Sequence, residues 1–360
     1  MRVLFLTQTD IDGPASRYRV YQYLDFLKEQ GIEYTLSPGV SKGNYLKVYS
    51  GYHPLKKLAA LVPVFFKRLI DVLRVSRYDI VFLQREIFPQ IYPIIEKMIM
   101  KLNKNVVFDF DDAIFLVPAG RAGFIYKFRY KHNIREIIKG SSHIITGNVY
   151  LREYAGRFNP NVCVIPTCVD TDRFYIKKRL ISDNEQAVIG WIGTEHSLIY
   201  LKSIEGVFKE LSKNFNICLH VIGGRNFAVK GVKVVNKKWD MDTEVADLHE
   251  LDIGVAPLLD DGWGKGKCGL KALQYMSCGI PVVCSDAGVY KEMIVEGENG
   301  FLASIANDWV QKLTMLIQDK KLREKISLAA RNMIEEKYSL KVNAARLKTV
   351  FDFVLKGSSR

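Results

Sequence analysis

Three stretches of the 360-residue sequence carry residue types whose spacing could do chemistry. In the first, Gly262, Gly264, Gly266 and Gly269 are interleaved with Lys265, Lys267 and Lys271, and the run passes through Cys268 and Leu270 to Gln274. Glycines let a backbone come close to a ligand. A helix start offers N–H groups at the positive end of its dipole, which suits phosphate. With the lysine charges added, the reading is a diphosphate cradle; the plain alternative is a surface loop with solvated lysines. The second stretch holds Asp109, Asp111 and Asp112 at the end of an apolar run. Carboxylates so close raise one another's pKa, which favours a functional site. A metal site and ordinary capping and turn formation by aspartates are the other readings. The third stretch, Gly13-Pro14-Ala15-Ser16-Arg17-Tyr18-Arg19, is a turn entering a helix, again an anion-binding geometry. Gly13, Ser16, Arg17 and Arg19 are its candidates for phosphate. Arg85, straight after another apolar run, joins them as a cleft-edge residue or half of a structural ion pair.

The elements that must position these residues follow from periodicity. Short β-branched runs alternate with helical patterns, the mark of parallel sheets covered on both faces. Strands are expected at 3–6, 80–83, 106–108, 143–146 and 162–165, then at 187–192, 217–222, 232–235, 253–256 and 281–284. Helices are expected at 17–30, 55–75, 124–139 and 148–158, then at 197–213, 243–250, 270–277, 308–318, 322–337 and 340–355. Residues 170–186, polar and without an apolar period, read as the linker. The expected fold is α/β, with two Rossmann-like doubly wound domains facing a cleft: residues 1–170 plus 340–360, and residues 186–339. Ligands of such sheets bind beyond the carboxyl ends of the strands. All three stretches fall there, as do Gly193-Thr194 and Gly223-Gly224-Arg225.

Composition narrows the class. An apolar share of 48% with 25% charged residues excludes a disordered chain, a collagen and a coiled coil. Of the 52 basic and 39 acidic residues, 28 and 16 lie in residues 1–180, so nearly all of the net +13 sits in the first half. That half should meet something anionic. Six cysteines without a CxxC pair read as reduced thiols. The scattered histidines give no metal-ligand spacing. The apolar start is too short for a signal peptide, and the longest apolar run, 58–66, is far below a membrane span. A cytoplasmic protein is expected.

From residue 187 to 303 the sequence resembles the GT-B glycosyltransferases of the large retaining family 4. That family reads Glu-x7-Glu followed by Ala-Met-Ala-Cys-Gly-x-Pro-Val-Val. Here Leu273-Gln274-Tyr275-Met276-Ser277-Cys278-Gly279-Ile280-Pro281-Val282-Val283 stands in that place, followed by Ser285-Asp286-Ala287-Gly288 and Gly297-Glu298-Asn299-Gly300-Phe301-Leu302. Trp191-Ile192-Gly193-Thr194, Val221-Ile222-Gly223-Gly224 and Pro166-Thr167-Cys168-Val169-Asp170 fall at the family's turns, and the likeness continues more weakly before residue 187. Two departures stand out. The family's glutamates fall on Gly266 and Gln274; an amide can still bond a ribose hydroxyl, and Asp260 or Asp261 is the substitute for the first carboxylate. The family's Arg…Lys pair is absent after Ile192, so the cation role passes to Lys267 and Lys271.

The resemblance implies transfer of a sugar, with retention, from a nucleotide diphosphate sugar to a hydroxyl of a glycan or lipid-linked acceptor. It implies no further cofactor and no metal. Gly193, Thr194, Gly223, Gly224, Arg225, Trp239, Gly266, Cys268, Gly269, Leu270, Lys271 and Gln274 would bind the donor. Asp111, Asp112 and Lys267 would be catalytic. The rival reading is a nucleotide- or glycan-binding protein that kept the fold and lost the carboxylates. A dinucleotide-type oxidoreductase lacks its GxGxxG, and no motif supports a nucleic-acid partner. Residues 55–77 carry Lys56, Lys57, Lys67, Arg68, Arg74 and Arg77 against Asp71 alone, among apolar positions that include Phe65 and Phe66. An anionic membrane face and a core-facing helix with a basic outer side both explain that segment; the first would make the protein peripheral on the inner membrane face.

Overall fold

The computed structural model describes residues 1–40, 54–88, 92–117, 124–176 and 186–358. It divides into two units: Met1–Thr167 with Gly266–Cys268 and Asn343–Arg360, and Cys168–Lys265 with Gly269–Val342.

The first unit is built on a six-stranded parallel sheet of β1 (Arg2–Thr9), β2 (Glu33–Val40), β3 (Ile80–Gln84), β4 (Val106–Phe110), β5 (His143–Thr146) and β6 (Val162–Val164), in the order β2-β1-β3-β4-β5-β6. The central strands are buried throughout: Val3, Leu4, Phe5, Leu6, Val81, Phe82, Val107 and Phe108 are all sealed from solvent, as expected of parallel strands covered on both faces. The helix Leu340–Ser358 covers part of the sheet, with the ring of Phe351 6.2 Å from Phe5 and 6.1 Å from Phe82. The chain leaves β1 for β2 on one side and returns to β3 on the other, so the topological switch lies at the carboxyl ends of β1 and β3.

Three expectations change here. β2 was not expected as a strand, because Pro38 and Gly39 interrupt it; it stands at the sheet edge, where proline is tolerated. β4 runs on through Phe110, which puts Asp109 inside the sheet. The helix expected at 17–30 is broken into Pro14–Arg19, Tyr21–Tyr23 and Leu24–Glu29, starting earlier because Pro14 suits a first turn.

The second unit holds β7 (Ala187–Ile192), β8 (Ile217–Ile222), β9 (Lys233–Lys237), β10 (Ile253–Ala256), β11 (Val282–Ser285) and β12 (Phe301–Ala303), all parallel, in the order β12-β11-β10-β7-β8-β9. Numbered within the unit, this is the 6-5-4-1-2-3 order of a dinucleotide-type sheet, with its switch between β7 and β10. Its core joins Ile189, Trp191, Leu219, Val221, Val255 and Val283 to Phe208, Trp309 and Leu313 from covering helices. β12 is a three-residue edge strand that the sequence did not announce. The start of the expected linker is folded: Phe174 is buried, and the Arg331 guanidinium donates to the carbonyls of Thr171, Phe174 and Ser277. Residues 177–185 of that linker lie outside the described residues.

Candidate functional site

At the carboxyl edge of the first sheet, charged side chains meet. Arg85 follows β3 with φ of +59°, a left-handed backbone that costs a non-glycine residue about 1–3 kcal/mol. The turn aims its guanidinium at both acids after β4: Nε donates to Asp111 at 2.7 Å, and Nη2 donates to Asp112 at 2.7 Å. Asp112 also accepts from Lys267 Nζ at 2.8 Å. Two cations and two carboxylates thus close on each other. The expectation that three neighbouring acids raise one another's pKa does not hold for Asp112. Burial alone would raise it, but Lys267 and Arg85 outweigh burial and hold it below the ordinary carboxylate value.

Lys267 reaches Asp112 because Gly266–Cys268 packs as part of the first unit. Asn148 Nδ2 donates to the Lys267 carbonyl at 3.0 Å, and the Cys268 thiol donates to the Asp111 carbonyl at 3.1 Å. A Cβ on Gly266 would stand 2.6 Å from the Ala113 nitrogen, so the backbone can lie here only without a side chain. Burial pushes the Cys268 thiol well above its ordinary value, which keeps it a protonated donor.

Asp109 is separate. It is paired in the interior with Arg19, whose Nη1 also donates to the Ile165 carbonyl at 2.8 Å. Burial opposes the Arg19 charge, but the Asp109 carboxylate outweighs burial and keeps the guanidinium protonated. Ser16 Oγ accepts from the Thr9 N–H at 3.2 Å and donates to Gln84 at 3.1 Å. Arg19 and Ser16, expected to face phosphate, instead tie the strand ends together. Arg17 is buried with its guanidinium 5.0 Å from the Tyr18 ring centroid, and Gly13 is the residue from which the Pro14–Arg19 helix starts.

The carboxyl edge of the second sheet is organised by backbone and by one carboxylate. Gly223 has φ of +85°, and a Cβ there would lie 2.2 Å from the Gly193 carbonyl and 3.2 Å from Trp239 Cβ. These contacts bring the turns after β7, β8 and β9 together. Gly224 is buried beside Leu198, and the exposed Arg225 donates its N–H to Glu195 at 3.0 Å. Thr194 caps the turn Glu195–Ser197 through reciprocal bonds with Ser197. Gly269 precedes the helix Leu270–Ser277, whose first turn carries Lys271 with its Nζ 5.2 Å from the Trp191 ring centroid.

On that helix Gln274 is buried and donates Nε2 to Glu244 at 2.8 Å. Trp239 Nε1 donates to the same oxygen at 2.9 Å, and Arg173 holds the other at 3.1 Å. Glu244 is only 1% exposed. Arg173 was not expected in a site; Glu244 was a candidate on the nucleotide side, weighed against plain first-turn charge on its helix. The signal was the amide at 274, where the resembled family has an acid; the negative charge reappears 30 residues upstream. Asp261, expected as a substitute carboxylate, instead accepts the Gly264 N–H at 2.6 Å and shapes its own turn. Among the described residues no group of three or more His, Cys, Asp or Glu side chains is arranged to hold a metal ion.

Two parallel doubly wound sheets with these turns define the GT-B fold, and comparison with known proteins agrees. Residues 188–319 match the family model described as Glycosyl transferases group 1. The capsular polysaccharide biosynthesis glycosyltransferase CapM of Staphylococcus aureus is 26% identical over 198 residues, 50% of this chain and 49% of that protein, so the match spans about half of that relative's length. Sucrose-phosphate synthase from Thermosynechococcus elongatus superposes over 99% of both chains with a TM-score of 0.71 at 14% identity. HepE of Anabaena, solved with UDP and glucose, covers 98% of this chain and 99% of its own with a TM-score of 0.68 at 14% identity.

Proposed function

We propose that this chain transfers a sugar from a nucleotide diphosphate sugar to a hydroxyl of a glycan or lipid-linked acceptor, with retention and without a metal, as in the retaining family 4. The observation that supports this most is in the second unit. Gln274 and Trp239 converge on the buried Glu244 beside the Gly223 turn, all within the segment similar to glycosyl transferases group 1. That arrangement would hold a nucleoside. The helix start at Leu270 and the Lys271 ammonium would face the diphosphate, whose departing charge is neutralised by fixed N–H groups and a lysine.

In the transfer, the bond between the sugar C1 and the diphosphate oxygen breaks. The acceptor oxygen bonds to C1, and the acceptor proton passes to the departing diphosphate. Asp111, Asp112 and Lys267 are assigned to the reacting sugar and acceptor, with Arg85 fixing both carboxylates. UDP is the first nucleotide to test, because HepE was solved with it.

The test is thermal unfolding with UDP, GDP, ADP, CMP and dTDP, each with and without EDTA, followed by donor turnover. A ligand at 100 times its dissociation constant adds about 2.7 kcal/mol. One nucleotide raising the melt independently of EDTA, with its sugar donor consumed, supports the proposal. A melt shift with no donor turnover makes the chain a binding protein, and a shift lost with EDTA removes metal independence.

A further inference from the structure

The helix Pro54–Arg74 of the first unit turns the expected arrangement of its segment inside out. Arg68 is wholly buried, its guanidinium donating to the carbonyls of Thr7 and Ser37 and to Asp71. Lys67 donates to the Pro38 carbonyl at 2.7 Å. Lys56 and Lys57 lie outside the residues whose side chains are described. The core-facing stripe is Ala60, Val64, Arg68, Asp71 and Val72, continued by Val75 in the turn that follows the helix. The opposite face carries Val62, Phe65, Phe66, Ile70 and Leu73, all exposed, with Leu73 77% and Phe66 59% open to solvent. These positions recur at helical spacing, so they form one continuous apolar stripe. The helix Ile94–Leu102, in the same unit, repeats the feature: Ile94, Met98 and Leu102 are exposed at every fourth position. Exposed basic residues accompany both stripes, namely Arg74, Arg77 and Lys101.

A soluble surface rarely shows a large apolar stripe without a use for it. Bases beside it specify the sign of the partner. No described helix is long and apolar enough to cross a membrane. We infer that this face of the first unit lies on an anionic lipid surface, with the stripe of Phe66, Ile70 and Leu73 buried among acyl chains and Arg74, Arg77 and Lys101 at the headgroups. Apolar area and attraction to anionic lipid then act together. Charge complementarity selects this occupant over a second copy of the chain, whose identical bases would repel. The inference does not depend on the sugar-transfer proposal, since it is read without donor or acceptor.

The experiment is cosedimentation of the full chain with vesicles of phosphatidylcholine carrying phosphatidylglycerol, and with phosphatidylcholine alone. The chain is expected to pellet with the anionic vesicles only, and less as salt rises. The triple variant Phe66→Ser, Ile70→Ser, Leu73→Ser changes exposed positions only. It should pellet at least about tenfold less while keeping the parent melting temperature. The pair Arg74→Glu, Arg77→Glu should bind less and lose most of the salt dependence. The inference is overturned if the parent chain stays in the supernatant with anionic vesicles, or if the triple variant pellets as well as the parent. A concentration-dependent dimer that the triple variant abolishes, with no vesicle binding, overturns it in favour of a second copy.

Discussion

The two sheets end differently at their carboxyl edges. At the first, Arg85, Lys267, Asp111 and Asp112 hold one another by charge, and Arg19 does the same with Asp109 a layer deeper. At the second, close-packed turns around Gly223 do most of the work, and a single carboxylate, Glu244, gathers an indole, an amide and a guanidinium. An edge held by charge answers to changes of charge and of pH. An edge held by backbone answers to changes of volume.

The largest effect should come from volume at the second edge. Gly223→Ala places a Cβ 2.2 Å from the Gly193 carbonyl in a left-handed backbone. It should cost about 1–3 kcal/mol in strain and remove the nucleotide-dependent melt shift altogether. A normal shift would show that the turns do not shape the nucleotide site. At the first edge the equivalent test is Asp112→Asn, which keeps the shape and removes the charge. Turnover should fall about 100-fold, with the nucleotide melt shift retained; loss of both would mean that the charge cluster serves only to fold the unit.

A smaller effect should separate the two kinds of edge directly. Gln274→Glu would set two carboxylates at the present 2.8 Å spacing in a buried site. One of them must then keep its proton, its pKa raised by the other. Stability should therefore be near normal at pH 5 and fall as pH rises, by about 1–3 kcal/mol at pH 8. Adding Glu244→Gln should restore it, since the exchanged pair again holds one acid and one amide. If the double variant melts no better than the single at pH 8, Glu244 is not the partner that sets the charge at 274.

A separate effect, confined to the pH dependence of stability, concerns Glu96 of the first unit, a carboxyl with no place in the charge cluster. Burial pushes its pKa up to about 8 from the ordinary 4.5, the nearby Glu86 adding to this and the Ile87 N–H opposing it. The folded chain therefore holds a proton that the unfolded chain has released. Stability should fall as pH rises between those two values and stay level below them. Glu96→Gln should flatten the fall, raising the melting temperature at pH 8.5 while leaving pH 4 unchanged. Asp112, held low by its cations, has the opposite sign: its contribution is present near neutrality and is lost as the medium turns acid.

Strand ends were legible because a buried parallel strand is a run of apolar β-branched residues, and the switch points fell on stretches already singled out. Two edge strands were not, because β2 carries Pro38 and β12 has three residues. Of the site, the glycine and lysine run was visible, but the partner of each charge was not. Arg19 with Asp109 spans 90 positions and Lys267 with Asp112 spans 155. No local period reports such pairs. Glu244 read either as a nucleotide-side residue or as first-turn charge on a helix, which it also is; its burial against Gln274 is a fact of tertiary packing. The outer face of Pro54–Arg74 misled for the same reason, since counting bases does not say which of them the core will take.

The rings of Phe5, Phe82 and Phe351 set an order of assembly. Two of them are made early and the third only at residue 351, so a ribosome has emitted every strand of the second unit before Phe351 can cover its part of the first sheet. The second unit is thus able to finish while its neighbour is still waiting for residue 351. A released chain truncated after residue 342 should show protease resistance over residues 186–342 and cleavage within residues 1–167.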